Sequence, residues 1–278
     1  MRLRARCLVI LERIPIRWNR NEYFVGSSIE ANIDVHAVNI VVFQHLDVEH
    51  LGVLRDFMRE DGISLTAVEL DRGDAIPDLD GFDAMIVMGG PQDVWEEDRY
   101  EWLRLEKKAI AHFVQHLKRP YLGICLGHQL LADALGGEVR LSEQPEVGVM
   151  NVMKTASGAA DTLFGSLADP IRALQWHGAE VVTPPDGAEV LAYSPACAIQ
   201  AFRYGEFAYG LQFHVEATRD TVSDWAAIPA YTRALERALG EGAVGRLESE
   251  VLDCLPIFNA TARQVYNGFK SKFRAATA

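Results

Sequence analysis

A single cysteine lies between two glycines near the middle of the chain, in the segment Gly123-Ile124-Cys125-Leu126-Gly127. An apolar run, residues 120–124, ends there, and a helical pattern, residues 126–135, begins. A strand that turns sharply into a helix and exposes a nucleophile needs glycines beside it, because a Cβ would clash in the tight turn. The helix N-terminus also favours thiolate over thiol. Cys125 is therefore a candidate nucleophile, and the alternative is a buried structural cysteine beside packing glycines.

A second segment carries the groups that activate such a nucleophile. The residues Leu211-Gln212-Phe213-His214-Val215-Glu216 follow a strand-like stretch. Because residues two apart in an extended chain point to the same face, Glu216 can orient the His214 ring while the other ring nitrogen faces a thiol. Cysteine, base and orienting carboxylate are the parts of a triad for acyl transfer. A His-x-Glu pair taken alone is more often a solvated strand end.

Glycines also end an earlier apolar run. The residues Met88-Gly89-Gly90-Pro91 close the run 84–88, and glycine at a strand end lets backbone N–H groups approach a ligand closely. We expect this loop to supply one donor of an oxyanion hole and the N–H of Leu126 to supply the other. A Gly-Gly-Pro segment taken alone is typical of an ordinary turn.

Together these segments resemble the class I (triad) glutamine amidotransferases. The residues of the motifs are most similar to those of the standalone group that resembles the amidotransferase domain of GMP synthase. The resemblance covers roughly residues 39–218 and includes two further stretches, residues 175–178 and 194–202. It implies a flavodoxin-like α/β fold, with an open, mostly parallel sheet flanked by helices. It also implies that Cys125 is the nucleophile, that His214 is the base and that Glu216 is its partner.

The resemblance extends to the residues around the triad. It implies that Gly90 and Leu126 stabilise the oxyanion. It further implies that the substrate is held by Gly89, Gln129 and the backbone of His177 and Gly178.

The chain departs from the family pattern at two positions. Val215 stands where proline is usual, and Ala179 stands where the standalone members often have aspartate. The first change removes only a stiff residue, whereas the second removes whatever polar contact that aspartate makes.

Composition excludes several classes of protein. The 278 residues are 49% hydrophobic, enough for a full core, but no apolar run reaches the roughly 18–20 residues of a membrane span. A net charge of −12 disfavours nucleic acid as a partner, because binding phosphates requires an electropositive face. The four cysteines show neither zinc-binding spacing nor a disulfide framework. We expect a cytoplasmic enzyme without metal or cofactor that binds neither nucleic acid nor membrane.

Three regions are predicted along the chain. Residues 1–38 are rich in arginine and lack clear periodicity, so we expect a disordered extension or a start assigned too early, with an organelle-targeting peptide as the alternative. Residues 39–240 alternate strand and helix signals and are predicted to form the amidotransferase domain. Residues 241–278 are predicted to be a helical appendage packed on that domain, and docking of a partner is the alternative role of the tail.

The predicted elements place the elbow at the carboxyl end of a central strand, where open α/β sheets bind ligands. Helices are expected at 48–59, 100–117 and 126–135. Strands are expected at 39–43, 64–69, 83–88, 120–124, 147–154, 172–176, 189–193, 198–203 and 207–213.

The remaining histidines are weaker candidates. His128, beside the elbow, is a rival base. Because it lies at the start of the helix that follows Cys125, its side chain is expected to point away from Cys125 and to pack in the protein interior. His112 and His116 are spaced for one helix face, and without a nearby acid a solvated face is favoured over a metal site.

These observations predict hydrolysis of the side-chain amide of L-glutamine through a glutamyl thioester, with release of ammonia. The sequence contains no Walker-type glycine-rich loop. Two possibilities stay open: a separate synthetase subunit receives the ammonia, or the protein hydrolyses a free small-molecule amide. The alternative functions are a hydrolase of γ-glutamyl compounds with the same triad, and a catalytically silent regulatory or binding protein, which an intact triad disfavours.

Overall fold

The computed structural model describes residues 38–273 of the chain. The prediction for the N-terminal extension falls, apart from Val38, outside the described residues and stays a prediction. The strands of the described part are Asn39–Gln44 (β1), Ser64–Glu69 (β2), Ala84–Val87 (β3), Tyr121–Ile124 (β4), Glu138–Lys154 (β5), Ile171–Thr183 (β6), Ala188–Tyr193 (β7), Ala201–Tyr204 (β8) and Ala208–Leu211 (β9).

These nine strands form one sheet in the order β2-β1-β3-β4-β9-β8-β7-β5-β6. The strands β1, β3, β4 and β9 are apolar and buried over nearly their whole length, as expected for strands covered on both faces. The pairs from β2 to β9 are parallel, and those from β9 to β6 are antiparallel. The predicted α/β sheet flanked by helices is confirmed, and it is a mixed sheet in which the parallel half carries the elbow.

Helices cover both faces of the sheet. In β1, alternate side chains point to opposite faces: Ile40 and Val42 lie in one apolar core, and Val41 and Phe43 lie in another. The helices of the described part are Val53–Glu60 (α1), Trp102–Ala111 (α2), Leu126–Ala134 (α3), Ala156–Ala160 (α4), Thr221–Ala226 (α5), Pro229–Leu239 (α6) and Ala243–Phe273 (α7).

Each core pairs the sheet with particular helices. The first core contains residues of α1 and of the C-terminal half of α7, and the second contains residues of α2 and α3. A third joins β5 and β6 to α5, α6 and the N-terminal half of α7. Among the described helices, none combines the length and the apolar character that crossing a membrane requires.

The first helix begins later than the sequence predicts, at Val53 instead of residue 48. Residues before it form a tight turn in which Gly52 has a φ of +48°. A Cβ on Gly52 would lie 1.9 Å from the carbonyl oxygen of Glu216, and the N–H of Val53 donates to that same oxygen at 3.0 Å. This turn is therefore held by a contact distant in sequence, which local periodicity does not reveal.

The strands β5 and β6 are longer than predicted. Residues 138–146 are mostly exposed and polar, so they lack the apolar alternation that indicates a strand. Pairing with β6 nevertheless keeps them extended, with a register shift between Leu141 and Glu146. The predicted helix 100–117 is also divided, since α2 ends at Ala111 and a wider π-type turn, His112–His116, follows it.

Candidate active site

Cys125 occupies the turn between β4 and α3. Its φ of +51° is uncommon for a residue with a Cβ and is the kind of backbone strain that concentrates at active sites. The flanking glycines are required sterically: a Cβ on Gly123 would lie 2.4 Å from the carbonyl oxygen of Gly127, and one on Gly127 would lie 2.1 Å from that of Val87. The strand–turn–helix geometry predicted for the elbow is therefore present.

His214 and Glu216 follow β9, in the parallel half of the sheet. Nδ1 of His214 lies 2.7 Å from Oε1 of Glu216, and both side chains are buried. Burial lowers the pKa of His214, but the charges and hydrogen bonds of Glu216 and Cys125 outweigh it and hold that pKa well above its usual value. The structure thus brings together the three residues that the sequence predicted as a triad, with the imidazolium form of the histidine favoured.

The Gly89-Gly90 loop packs against the elbow. A Cβ on Gly90 would lie 2.9 Å from Cδ2 of Leu126, and the N–H of Gly127 donates to the carbonyl oxygen of Met88 at 3.1 Å. Within the described part of the chain, the N–H groups of Gly90 and Leu126 have no backbone acceptor. Two uncommitted donors close to Cys125 are what an oxyanion hole requires.

A buried histidine, for which the sequence indicated no role, holds this loop. Nδ1 of His45 lies 2.8 Å from the carbonyl oxygen of Gly89, and Nε2 lies 2.8 Å from Oε1 of Glu106 on α2. Because a carbonyl oxygen only accepts, Nδ1 carries a proton. Burial lowers the pKa of His45, but Glu106 and the Gly89 carbonyl raise it, and the net shift is upward. His45 and Glu106 are 61 residues apart, so no local pattern connects them.

Gln129 reaches towards the triad through a second glutamine. Its Nε2 donates to the carbonyl oxygen of Ala179 at 3.1 Å and to Oε1 of Gln212 at 3.0 Å. Nε2 of Gln212 in turn lies 3.7 Å from Sγ of Cys125. Since the amide protons of Gln129 are used within the protein, its side-chain carbonyl oxygen is the group left for a further contact. The backbone carbonyl oxygen of Ala179 also contacts Nδ1 of His177.

The side chain of His177 is committed to structural contacts. Its Nδ1 lies 3.0 Å from the carbonyl oxygen of Ala179, and its Nε2 lies 3.2 Å from Oε2 of Glu146. His177 and Gly178 line the same cavity as Cys125. The His177 ring anchors this segment to β5, and contact of the His177-Gly178 backbone with a substrate stays a prediction.

Cys197, His177 and Glu146 form a second cysteine–histidine–carboxylate group. Cys197 is fully buried, and burial raises its pKa to about 12, so the thiol stays protonated at neutral pH. Both ring nitrogens of His177 already face protein acceptors, which leaves neither free to take the thiol proton. Glu146 also accepts a hydrogen bond from Nε2 of Gln200 at 2.5 Å. This group is therefore a structural network, and Cys125 is the better nucleophile.

Two sets of side chains in the described residues have donor atoms within 4.8 Å of one another, close enough to hold a metal ion. One is the Cys197 network, and the other is Glu49 with His214 and Glu216. In both sets the histidine is already engaged by a carboxylate of the protein. Neither arrangement requires a metal to account for its geometry.

A cavity of about 680 Å³ opens beside Cys125. The loop after Gly89, Gln129 and the β5–β6 ribbon form part of its wall, and α6 closes the other side with Tyr231 and Arg237. The ring centroid of Trp225, on α5, lies 4.5 Å from the ring centroid of His214. The C-terminal helices thus form one side of the site, a role that their apolar spacing did not reveal.

The other predicted histidines lie outside this cavity. His128 packs against Phe202, and burial lowers its pKa to about 3, so it is neutral and does not replace His214. His112 and His116 are exposed neighbours.

An α/β sheet with a cysteine on a glycine-flanked elbow, a histidine held by a carboxylate and a glycine loop with free N–H groups defines a cysteine-dependent amide hydrolase. Residues 46–224 match the model of the family described as glutamine amidotransferase class-I, and the chain belongs to that family. The family, the enzyme class and the fold class that the sequence predicted are therefore confirmed.

Individual relatives agree with this assignment. The chain is 38% identical over 176 residues to a glutamine-hydrolysing GMP synthase subunit of Sulfolobus acidocaldarius, a match that covers 63% of this chain and 84% of the relative. It is similar to the crystal structure of a glutamine amidotransferase from Thermotoga maritima, with a TM-score of 0.74, 28% identity and coverage of 83% and 96% of the two chains. For a glutamine amidotransferase from Methylobacillus flagellatus, the corresponding values are 0.71, 25%, 85% and 94%.

Proposed function

We propose that the protein hydrolyses the side-chain amide of L-glutamine, with Cys125 as the nucleophile and His214 as the acid and base. The observation that carries the proposal is the 2.7 Å contact between His214 and Glu216, next to a cysteine on a strained elbow. The thiolate attacks the carboxamide carbon, and the N–H groups of Gly90 and Leu126 hold the oxyanion. The imidazolium protonates the departing ammonia, which leaves a glutamyl thioester.

Water completes the cycle. His214, now neutral, takes a proton from a water molecule that attacks the thioester, and the thiolate departs as glutamate is released. Glu216 keeps the imidazole oriented and stabilises its charged form without transferring a proton itself. Gly89, the carbonyl oxygen of Gln129 and the His177-Gly178 backbone hold the amino acid end of the substrate in this proposal.

A separate synthetase subunit is the proposed acceptor of the ammonia. The relative from Sulfolobus acidocaldarius is named as one subunit of GMP synthase, and the sequence of this chain carries no Walker-type loop of its own. Docking of a partner can lock a loop of the site into its working conformation. We therefore expect slow release of ammonia from glutamine by the purified protein and faster release when a synthetase partner is present.

Hydrolysis of a γ-glutamyl compound is the second candidate function, and the size of the cavity favours it. A volume of about 680 Å³ lies in the range that accommodates drug-sized ligands, so a substituent on the amide nitrogen fits by volume. Arg237 on the α6 wall is exposed and is the single lysine or arginine among the lining residues of this described cavity. It would suit a substituent that carries a carboxylate.

Ammonia and amine release across three substrates tests both candidates: glutamine, a γ-glutamyl alkylamide and a γ-glutamyl dipeptide. Each is assayed with and without cell extract, and the Cys125→Ala protein with extract provides the background. Glutamine turnover that extract stimulates supports the partner-dependent mechanism. Rapid, saturable turnover of a γ-glutamyl compound by the isolated protein, far above that of glutamine, would replace it with the hydrolase. Turnover that survives Cys125→Ala would refute the proposed nucleophile.

A further inference from the structure

A carboxylate outside the triad lies beside the catalytic histidine. Glu49, in the loop between β1 and α1, is only 4% exposed. Its Oε1 accepts a hydrogen bond of 2.6 Å from the hydroxyl of Tyr231 on α6. Its Oε2 is buried and has no hydrogen-bond partner among the described residues. A buried carboxylate oxygen without a partner is costly, so the position of Oε2 needs a compensating interaction.

The unpartnered oxygen faces the His214 ring and the glycine loop. A Cβ on Gly89 would lie 2.6 Å from Oε2 of Glu49 and 3.4 Å from Cε1 of His214. Donor atoms of Glu49, His214 and Glu216 also lie within 4.8 Å of one another. Two carboxylates therefore flank one imidazole: Glu216 lies at Nδ1, and Glu49 lies near the Cε1 edge.

The backbone around Glu49 is clamped from several sides. Nε1 of Trp225 donates a hydrogen bond to the carbonyl oxygen of Val48 at 3.1 Å. The N–H of Val53 donates to the carbonyl oxygen of Glu216 at 3.0 Å. The close approach at Gly52 admits no Cβ. Because α5, α6 and the backbone of the triad acid all fix this loop, the carboxylate is held in one place.

We propose that Glu49 is a second positioning carboxylate for His214, and that Tyr231 of α6 holds it there. The inference rests on the proposed roles of Cys125 and His214. The negative charge of Glu49 stabilises the imidazolium that accompanies the Cys125 thiolate, and the imidazolium offsets the cost of burying Glu49. Although the family match ends at residue 224, α6 would then be part of the catalytic machinery.

The groups around Glu49 act on its pKa in both directions. Burial raises its pKa, and the repulsion from Glu216 adds to that effect. The charge of His214, the hydrogen bond of Tyr231 and the charge of His45 act in the opposite direction but only in part, so the net shift of the Glu49 pKa is upward. The titratable groups that face Glu49 are thus two histidines, one tyrosine and one carboxylate, and His214 is the largest of the favourable partners.

Glu49→Gln keeps the shape of the side chain and removes its charge. We expect the titration midpoint of the His214 Cε1–H resonance, followed by NMR, to fall by about one pH unit. Alkylation of Cys125 by iodoacetamide at neutral pH should slow by about tenfold, because fewer molecules hold the thiolate–imidazolium pair. For the preferred amide substrate, kcat should fall by about tenfold, with KM changed by less than about twofold.

Tyr231→Phe keeps the ring and removes only the hydroxyl. It should shift the His214 midpoint in the same direction by less, and the double variant should be no worse than Glu49→Gln alone, because Tyr231 acts through Glu49. Glu241→Gln, an exposed residue between α6 and α7, is the matched control and should change none of these values.

The variants separate this inference from the proposed function. Urea unfolding first establishes that each variant is folded. If Cys125→Ala and His214→Ala abolish turnover but folded Glu49→Gln and Tyr231→Phe leave the His214 midpoint and the alkylation rate unchanged, the role of Glu49 is refuted and the triad stands. If turnover survives Cys125→Ala, the proposed function itself fails.

Discussion

At the scale of single residues, Cys125 and Cys197 differ in their surroundings. Cys125 lines the cavity, whereas Cys197 is fully buried with a pKa raised to about 12 by that burial. A diazo-ketone analogue of glutamine should therefore modify Cys125 and spare Cys197 and Cys254. Mass spectrometry of the labelled protein locates the adduct, with Cys197→Ala as the control. An adduct chiefly at Cys197 would contradict the assignment of the nucleophile.

The two groups that act on the nucleophile should also differ in their effects. Glu216 contacts His214 through Nδ1, so Glu216→Gln weakens the orientation of the ring but leaves the base in place. His214→Ala removes the base. We expect the loss in kcat/KM to be smaller for Glu216→Gln than for His214→Ala. Steady-state kinetics on the same substrate compare the two, and equal losses would mean that a different group takes the proton.

At the scale of elements, β1 and α2 jointly position the glycine loop. His45 follows β1, Glu106 lies on α2, and the ring between them holds the carbonyl oxygen of Gly89. In the His45→Gln variant, the glutamine side chain can still bond to either Gly89 or Glu106, but it cannot carry the positive charge of a protonated histidine. We expect kcat to fall by roughly 10- to 100-fold with little change in KM, because a displaced loop misplaces an oxyanion donor. A change confined to KM would show that the loop acts in substrate binding instead.

The contact between His45 and Glu106 predicts that the stability of the protein depends on pH. The folded pKa of His45 is raised above its ordinary value, so its contribution to stability is fully present below about pH 6.5 and is lost as the pH rises through the folded pKa. Over that window the free energy of unfolding of the wild-type protein should fall more steeply than that of His45→Gln. Urea unfolding at several pH values measures both slopes, and parallel curves would argue against a charged His45.

At the scale of the whole molecule, α7 belongs to the core of the sheet. Val265, Tyr266 and Phe269 are buried among residues of α1 and the central strands. Phe269→Ala should lower the free energy of unfolding by about 3–5 kcal/mol, the range for a large aromatic side chain removed from a core. Ile257→Ala on the same helix is the control, because Ile257 is exposed. Urea denaturation measures both, and similar small losses would mean that α7 is not part of the cooperative unit.

Local signals in the sequence sufficed for part of the fold and of the site. The apolar runs at β1, β3 and β4 predicted buried parallel strands, and β2 has the predicted bounds. The glycines beside Cys125 predicted the elbow. The steric requirement at Gly123 is local, because a Cβ there would meet Gly127, whereas the requirement at Gly127 comes from Val87 on the neighbouring strand β3. The pairing of His214 with Glu216 was predicted from an extended chain. The contact is present, but β9 ends at Leu211, and residues 212–216 form bends around an isolated bridge at His214.

The sequence by itself determined the family, the α/β class and the residues of the predicted triad, because each depends on neighbours along the chain. Only the tertiary structure decided that His45 and Glu106 hold the glycine loop, that Glu49 lies beside His214, and that α6 closes the cavity over Cys125. The hydrogen bonds among them join residues 44 to 182 positions apart. They arise from burial of charged and polar groups, and the composition of a short segment carries no record of which distant partner offsets that burial.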